Sequence, residues 1–129
     1  MATSLSITAF DHLVLKVADV EASLTFYIDR LGLEPINVDE WRNGSAFFPS
    51  ARISADSIID FIPAAGDIAE RNVDHFCLVA DRASVEAITA PDSGFEVVDS
   101  GERSGARGIG WSVYINDPDG NLVEVRYYE

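Results

Sequence analysis

The chain holds two histidines, His12 and His75, and each follows an aspartate at the head of an apolar stretch. The two stretches read DHLVLKVADVEAS from Asp11 and DHFCLVADRASVEA from Asp74. The histidines stand 63 residues apart, and two acids repeat at nearly the same offset: Asp60 in IIDF and Glu124 in LVEV, 64 apart. Two imidazoles with one or two carboxylates are a donor set for a divalent transition ion. Imidazole suits Zn, Ni, Co or Fe, and carboxylate oxygens also admit Mn. Two histidines and one carboxylate leave coordination positions open for water or a substrate. Taken singly, a strand histidine or a final-strand glutamate is ordinarily a hydrogen-bonded or solvated residue. The repetition of the whole set is what points to an ion.

The elements that must position these residues also repeat. Residues 7–17 (ITAFDHLVLKV) read as a strand in which Leu13, Leu15 and Val17 alternate with His12, Val14 and Lys16, so the histidine lies on the face away from the greasy one. Asp19 is placed to cap a helix carrying Val20, Leu24, Tyr27, Ile28 and Leu31, which Gly32 ends. Leu33 to Asp39, Ser45 to Phe48 and Ser57 to Ile62 read as three strands, and Pro63 to Asn72 as a connector. The second half follows suit: a strand at Val73 to Ala80, a short helix opened by Asp81 and closed by Pro91, then strands at Phe95 to Val98, Ile109 to Asn116 and Leu122 to Tyr128. DPDG (Asp117 to Gly120) is a tight turn, and the four glycines of GERSGARGIG (Gly101 to Gly110) predict a mobile loop. The expected fold is α+β, two βαβββ modules over about 7–62 and 73–128 of a single 1–129 domain, rolled into an incomplete barrel. His12, Asp60, His75 and Glu124 would then line one cup.

Composition narrows the function classes. The net charge is −13 and Lys16 is the only lysine, so phosphate backbones and anionic membranes are poor partners. No apolar run approaches the ~20 residues of a membrane span, and MATSLSITAFDH is not a secretory leader, so a cytoplasmic protein is expected. The single cysteine, Cys77, excludes an intramolecular disulfide and reads as a small buried hydrophobe.

FDHLVLKV, FYIDRLGLEP and SVYINDPDGNLVEV together resemble the vicinal oxygen chelate superfamily, over about residues 8 to 127. That group includes glyoxalase I, fosfomycin-resistance proteins, extradiol dioxygenases, methylmalonyl-CoA epimerase and metal-free bleomycin-binding proteins. The resemblance implies paired modules, usually across a homodimer, around one divalent ion (Ni, Zn, Mn, Fe or Co). It maps the ligands onto His12, His75 and Glu124 and a fourth position onto Asp60. Asp60 is one methylene shorter than the family's Glu or Gln, so it is placed to reach the metal through water or to act as a base beside it, and Glu124 or Asp60 is the carboxylate that can shuttle a proton. Tyr114 falls where the fosfomycin-resistance group has a substrate-contacting tyrosine. Arg103, Ser104 and Arg107 fall in its substrate loop, where the ordinary role is a solvated surface and the implied role is holding an anion. Trp41 and Phe48 are candidates for a pocket lining. The implied activity is metal-dependent chemistry, of lyase, isomerase or transferase type, on a small molecule with neighbouring oxygens. The alternative is a metal-free small-molecule sequestration protein of the bleomycin-binder type.

Overall fold

The computed structural model describes residues 10, 12–65, 73, 75–105 and 107–129. Asp11 and Asp74, expected at the two strand entries, lie outside the described residues. The chain forms two compact units, Met1–Asp67 and Ile68–Glu129. Each is described by itself.

Module one runs β1 (His12–Val17), α1 (Val20–Leu24), a π-helical segment (Thr25–Arg30), β2 (Glu34–Ile36), α2 (Val38–Arg42), β3 (Ser50–Ser54) and β4 (Ser57–Pro63). Module two runs β5 (His75–Val79), α3 (Arg82–Thr89), β6 (Val97–Gly105), β7 (Gly108–Asn116) and β8 (Leu122–Tyr127). The sheets have the same order, β1-β4-β3-β2 and β5-β8-β7-β6, with the first and last strands of each module paired in parallel. The repeat read in the sequence is therefore a repeat of topology.

Local chemistry accounts for the elements. Asp19 accepts a hydrogen bond from the Ala22 amide at 3.2 Å and Asp81 one from the Ser84 amide at 2.9 Å, so both helices start on the expected caps. Gly32 takes φ +78° where the first helix ends. On β1, Leu15 and Val17 are buried while His12, Val14 and Lys16 are exposed. Leu15, Val17, Leu24, Tyr27, Ile59 and Phe61 build the module-one core, and Tyr27 and Phe61 bring ring centroids to 5.2 Å. In module two, α3 packs Val85 and Ile88 on the sheet face formed by Val113, Ile115, Val123 and Val125.

Three expectations change. Residues 38–42 form helix α2, not the continuation of a strand, and Trp41 rides on it. The strand expected at Ser45 to Phe48 lies further on, at Ser50–Ser54, because Pro49 lacks an amide hydrogen and the extended pairing begins after it; Phe47 is left 98% exposed. The glycine-rich stretch from Gly101 is largely strand: β6 runs to Gly105 and β7 starts at Gly108, paired as a hairpin. At Gly110 a Cβ would come within 2.8 Å of the Tyr127 carbonyl oxygen, so that glycine permits close strand approach rather than mobility.

Candidate functional site

Strand register assembles the site of module two around Glu124. On β8 its direct neighbours are Cys77 of β5 and Tyr114 of β7. His75 sits one alternate position from Cys77, opposite Leu122, and Ser112 sits opposite Arg126. Residues two apart on a strand share a face, so His75, Cys77, Ser112, Tyr114, Glu124 and Arg126 all project from the side opposite α3.

Glu124 is 3% exposed and its two oxygens do different work. Oε2 accepts the Ser112 hydroxyl at 2.6 Å and two N–H groups of Arg126, Nη2 at 2.6 Å and Nε at 3.2 Å. Oε1 faces the Nε2 of His75 at 3.3 Å. Burial is the largest influence on this carboxyl and pushes it up, but the hydrogen bonds from Ser112 and Arg126, the guanidinium's charge and the Tyr114 hydroxyl act against it and hold Glu124 below the ordinary carboxylate range. The same charge acts on its neighbours. The Cys77 thiol is pushed up to about 11, first by burial and then by the carboxylate. The Tyr114 phenol is raised by burial and by Glu124. Cys77 is exposed on the site face, not a core residue, and at neutral pH it is a thiol.

Arg126 is 3% exposed and spends all five N–H groups. Besides Glu124 it donates to the carbonyls of Arg103 at 3.4 Å and Ser104 at 2.9 Å and to the Tyr128 hydroxyl at 3.2 Å. That hydroxyl also accepts the Arg107 amide at 3.3 Å. One guanidinium thus ties the carboxylate to the β6–β7 hairpin. Arg103 lies over the Tyr114 ring at 5.7 Å, tethered to Asp99 Oδ2 at 3.1 Å. It crosses Gly101, where a Cβ would meet its guanidinium at 2.5 Å. Tyr114 in turn meets His75 edge-on, ring centroids 5.9 Å apart. Arg107 is exposed and stacks on Tyr128 at 5.4 Å. Of the predicted residues, His75, Glu124, Tyr114 and Arg103 are therefore contiguous, and Arg107 joins them through Tyr128 and Arg126.

In module one, His12 heads β1 opposite Ile58, the place His75 holds opposite Leu122. Asp60 is 6% exposed, flanked by Val14 and Ser50, and accepts the Ser50 hydroxyl at 2.6 Å. Among the described residues, no three His, Cys, Asp or Glu side chains gather as an ion-holding group. Module two does provide two donors suited to one ion. With bonds of about 2.0–2.1 Å, two ligands of a tetrahedral ion stand about 3.3 Å apart, and the His75 and Glu124 atoms stand at 3.3 Å. Imidazole nitrogen and carboxylate oxygen fit the divalent ions expected.

Sequence reading missed Ser112, Cys77 as a site residue and, above all, Arg126. Its signal was present: Arg126 is two residues from Glu124 on one strand and must share its face.

Residues 9–125 match the model of the Glyoxalase/Bleomycin resistance protein/Dioxygenase superfamily. The chain is 30% identical over 124 residues to Virulence protein STM3117 of Salmonella typhimurium, covering 95% of this chain and 85% of that protein. The crystal structure of that protein superposes with a TM-score of 0.76 at 26% identity, covering 97% of this chain and all of the other. Glyoxalase domain-containing protein RDO1 of Mycosarcoma maydis is 28% identical over 127 residues, 97% of this chain and 71% of that protein. A structure from the mobile metagenome of V. Pseudocholerae superposes with a TM-score of 0.77 at 26% identity over 98% of this chain and 99% of that one.

Proposed function

The chain belongs to the Glyoxalase/Bleomycin resistance protein/Dioxygenase superfamily, and from that premise we propose that it is a divalent-metal-dependent enzyme acting on a small molecule with neighbouring oxygens. The reaction is of lyase, isomerase or transferase type. Its ligands are His75 and Glu124, which stand together on module two, with His12 the third ligand that the resemblance implies, in a homodimeric cytoplasmic protein. The observation that carries this reading is the 3.3 Å pairing of His75 Nε2 with Glu124 Oε1, two ligand atoms at the spacing of one coordination edge.

A bound divalent ion supplies Lewis acidity, stabilising charge that builds on a substrate oxygen. The chain's own residues supply the rest. Ser112 and Arg126 saturate Oε2 and keep Glu124 an anion with one oxygen presented. Tyr114 orients the substrate beside His75, and Arg103 and Arg107 hold an anionic end of it. Asp60, whose Oδ1 takes the Ser50 hydroxyl, is the proton acceptor of module one through its other oxygen.

Elemental analysis of protein purified without added metal tests the reading. The expected result is a stoichiometric divalent ion that is lost in a folded His75→Ala variant. Wild type that takes up none of Ni, Zn, Mn, Fe or Co sinks it. A second reading, metal-free sequestration of a small molecule, is favoured by the guanidinium cation of Arg126 that Glu124 already meets within its own module. It wins if His12→Ala and His75→Ala leave both fold and small-molecule binding intact.

A further inference from the structure

Arg126 has no donor left for a substrate. Its five N–H groups end on Glu124 Oε2 (twice), two backbone carbonyls of β6 and the Tyr128 hydroxyl. A buried guanidinium so fully used is not a binding arm. Its acceptors show what it does: three bonds go to the hairpin side of the site and two to the reacting carboxylate. The hairpin ends are otherwise thin. They carry Gly101, Gly105, Gly108 and Gly110, and Arg107 is exposed.

We propose that Arg126 is the positioning residue of this site. It commits Glu124 to presenting a single oxygen, Oε1, and fixes the β6–β7 hairpin that bears Arg103 and Arg107 against the same carboxylate. The half of this inference that concerns an ion rests on the function proposed above; the half that concerns the hairpin does not. Two consequences have opposite signs. Removing the guanidinium removes a like charge from beside any bound cation and uncovers Oε2, so ion affinity rises. It also releases the backbone at Arg103 and Ser104, so the hairpin loosens. General destabilisation would weaken both.

The test uses the full chain with Arg126→Met. Co²⁺ binding is followed by its visible absorption, and amide hydrogen exchange is followed over residues 101–110. The expected result is Co²⁺ binding tighter by roughly tenfold or more, with an altered absorption spectrum. Hairpin exchange should be faster by roughly tenfold, while α3 and β5 keep wild-type rates. Unchanged hairpin exchange, or weaker Co²⁺ binding together with exchange accelerated throughout module two, overturns the proposal. If wild type binds no Co²⁺, the ion half of this inference falls and hairpin exchange alone decides the role of Arg126. If Arg126→Met does not fold, Arg126→Lys replaces it. A lysine keeps the charge but cannot span the five bonds, so Co²⁺ affinity near wild type with an accelerated hairpin is expected, and wild-type hairpin exchange overturns the proposal.

Discussion

The two modules place a buried carboxylate on the same rung of the same strand and then treat it differently. Asp60 lies between Val14 and Ser50; Glu124 lies between Cys77 and Tyr114. Each accepts a serine hydroxyl at 2.6 Å, but from different rungs: Ser50 stands directly opposite Asp60, and Ser112 stands diagonally from Glu124. The cation differs more. Two residues past Glu124 comes Arg126, paired across the sheet with Val79; two residues past Asp60 comes Ile62, paired with Lys16. The exposed lysine of module one thus sits on the first strand of its pair, and the buried arginine of module two on the last. Among the described residues no ion pair joins Asp60 to a cation, whereas Glu124 meets Arg126 at 2.6 Å. A shared scaffold has kept its hydroxyl anchor and moved its charge. One carboxylate is consequently pinned as an anion, and the other, among the described residues, is held by a serine hydroxyl.

Exchanging each acid for its amide is the largest test of that difference. Glu124→Gln should lower divalent-ion affinity by more than the roughly 10–100-fold typical of outer-shell changes, and Asp60→Asn by about tenfold or less. Equal losses in isothermal titration would erase the distinction between the modules. Next comes stability. Arg126→Ala leaves Glu124 buried without its counter-charge and should cost about 3 kcal/mol in urea unfolding, the low end for breaking a buried pair. Lys16→Ala, on the equivalent rung but exposed, should leave the midpoint almost unmoved.

Acid unfolding of metal-free protein sharpens the same contrast. Glu124 is depressed in the folded state, so its contribution is present above the unfolded carboxylate value near 4.5 and is lost as pH falls through the lower folded value. Ser112→Ala removes one cause of that depression and should shift the loss to higher pH, with about 1 kcal/mol less stability at neutral pH. A melting profile against pH unchanged by Ser112→Ala would contradict this. The smallest effect concerns Cys77, whose module-one counterpart is Val14. With the thiol pushed up to about 11, iodoacetamide should react slowly at pH 8, and the rate should climb about tenfold per pH unit toward 11. Fast labelling at pH 7 would show that Glu124 and burial do not govern this thiol.

The parts of the fold that were legible in the sequence were those fixed by local rules. Strict alternation placed β1, carboxylate caps placed α1 and α3, and DPDG folds as expected, with the Asp117 carboxylate taking the Asp119 and Asn121 amides at 2.9 and 2.7 Å. The misreadings came where composition imitates another state. Phe47 and Phe48 look like strand residues, yet they stand in a connection ahead of Pro49. The glycines from Gly101 look like a loop, yet they let two strands and a guanidinium approach closely. In the site, the histidines and acids were visible as a repeat because each has a counterpart. Ser112 and Arg126 were not, because Phe48 and Ile62 stand at the corresponding positions of the sequence repeat.

The parallel pairing of first and last strands has a bearing on how the protein is made. β8 lies between β5 and β7, so it is an interior strand of its sheet although it is the last of its module to leave the ribosome. Until residues 122–127 emerge, β5 has no neighbour, and β6 and β7 can form only their own hairpin. Glu124 and Arg126 travel on that final strand. The segment that completes the sheet is therefore also the one that brings the charges, and a nascent module two without its charged pair is equally one without its middle.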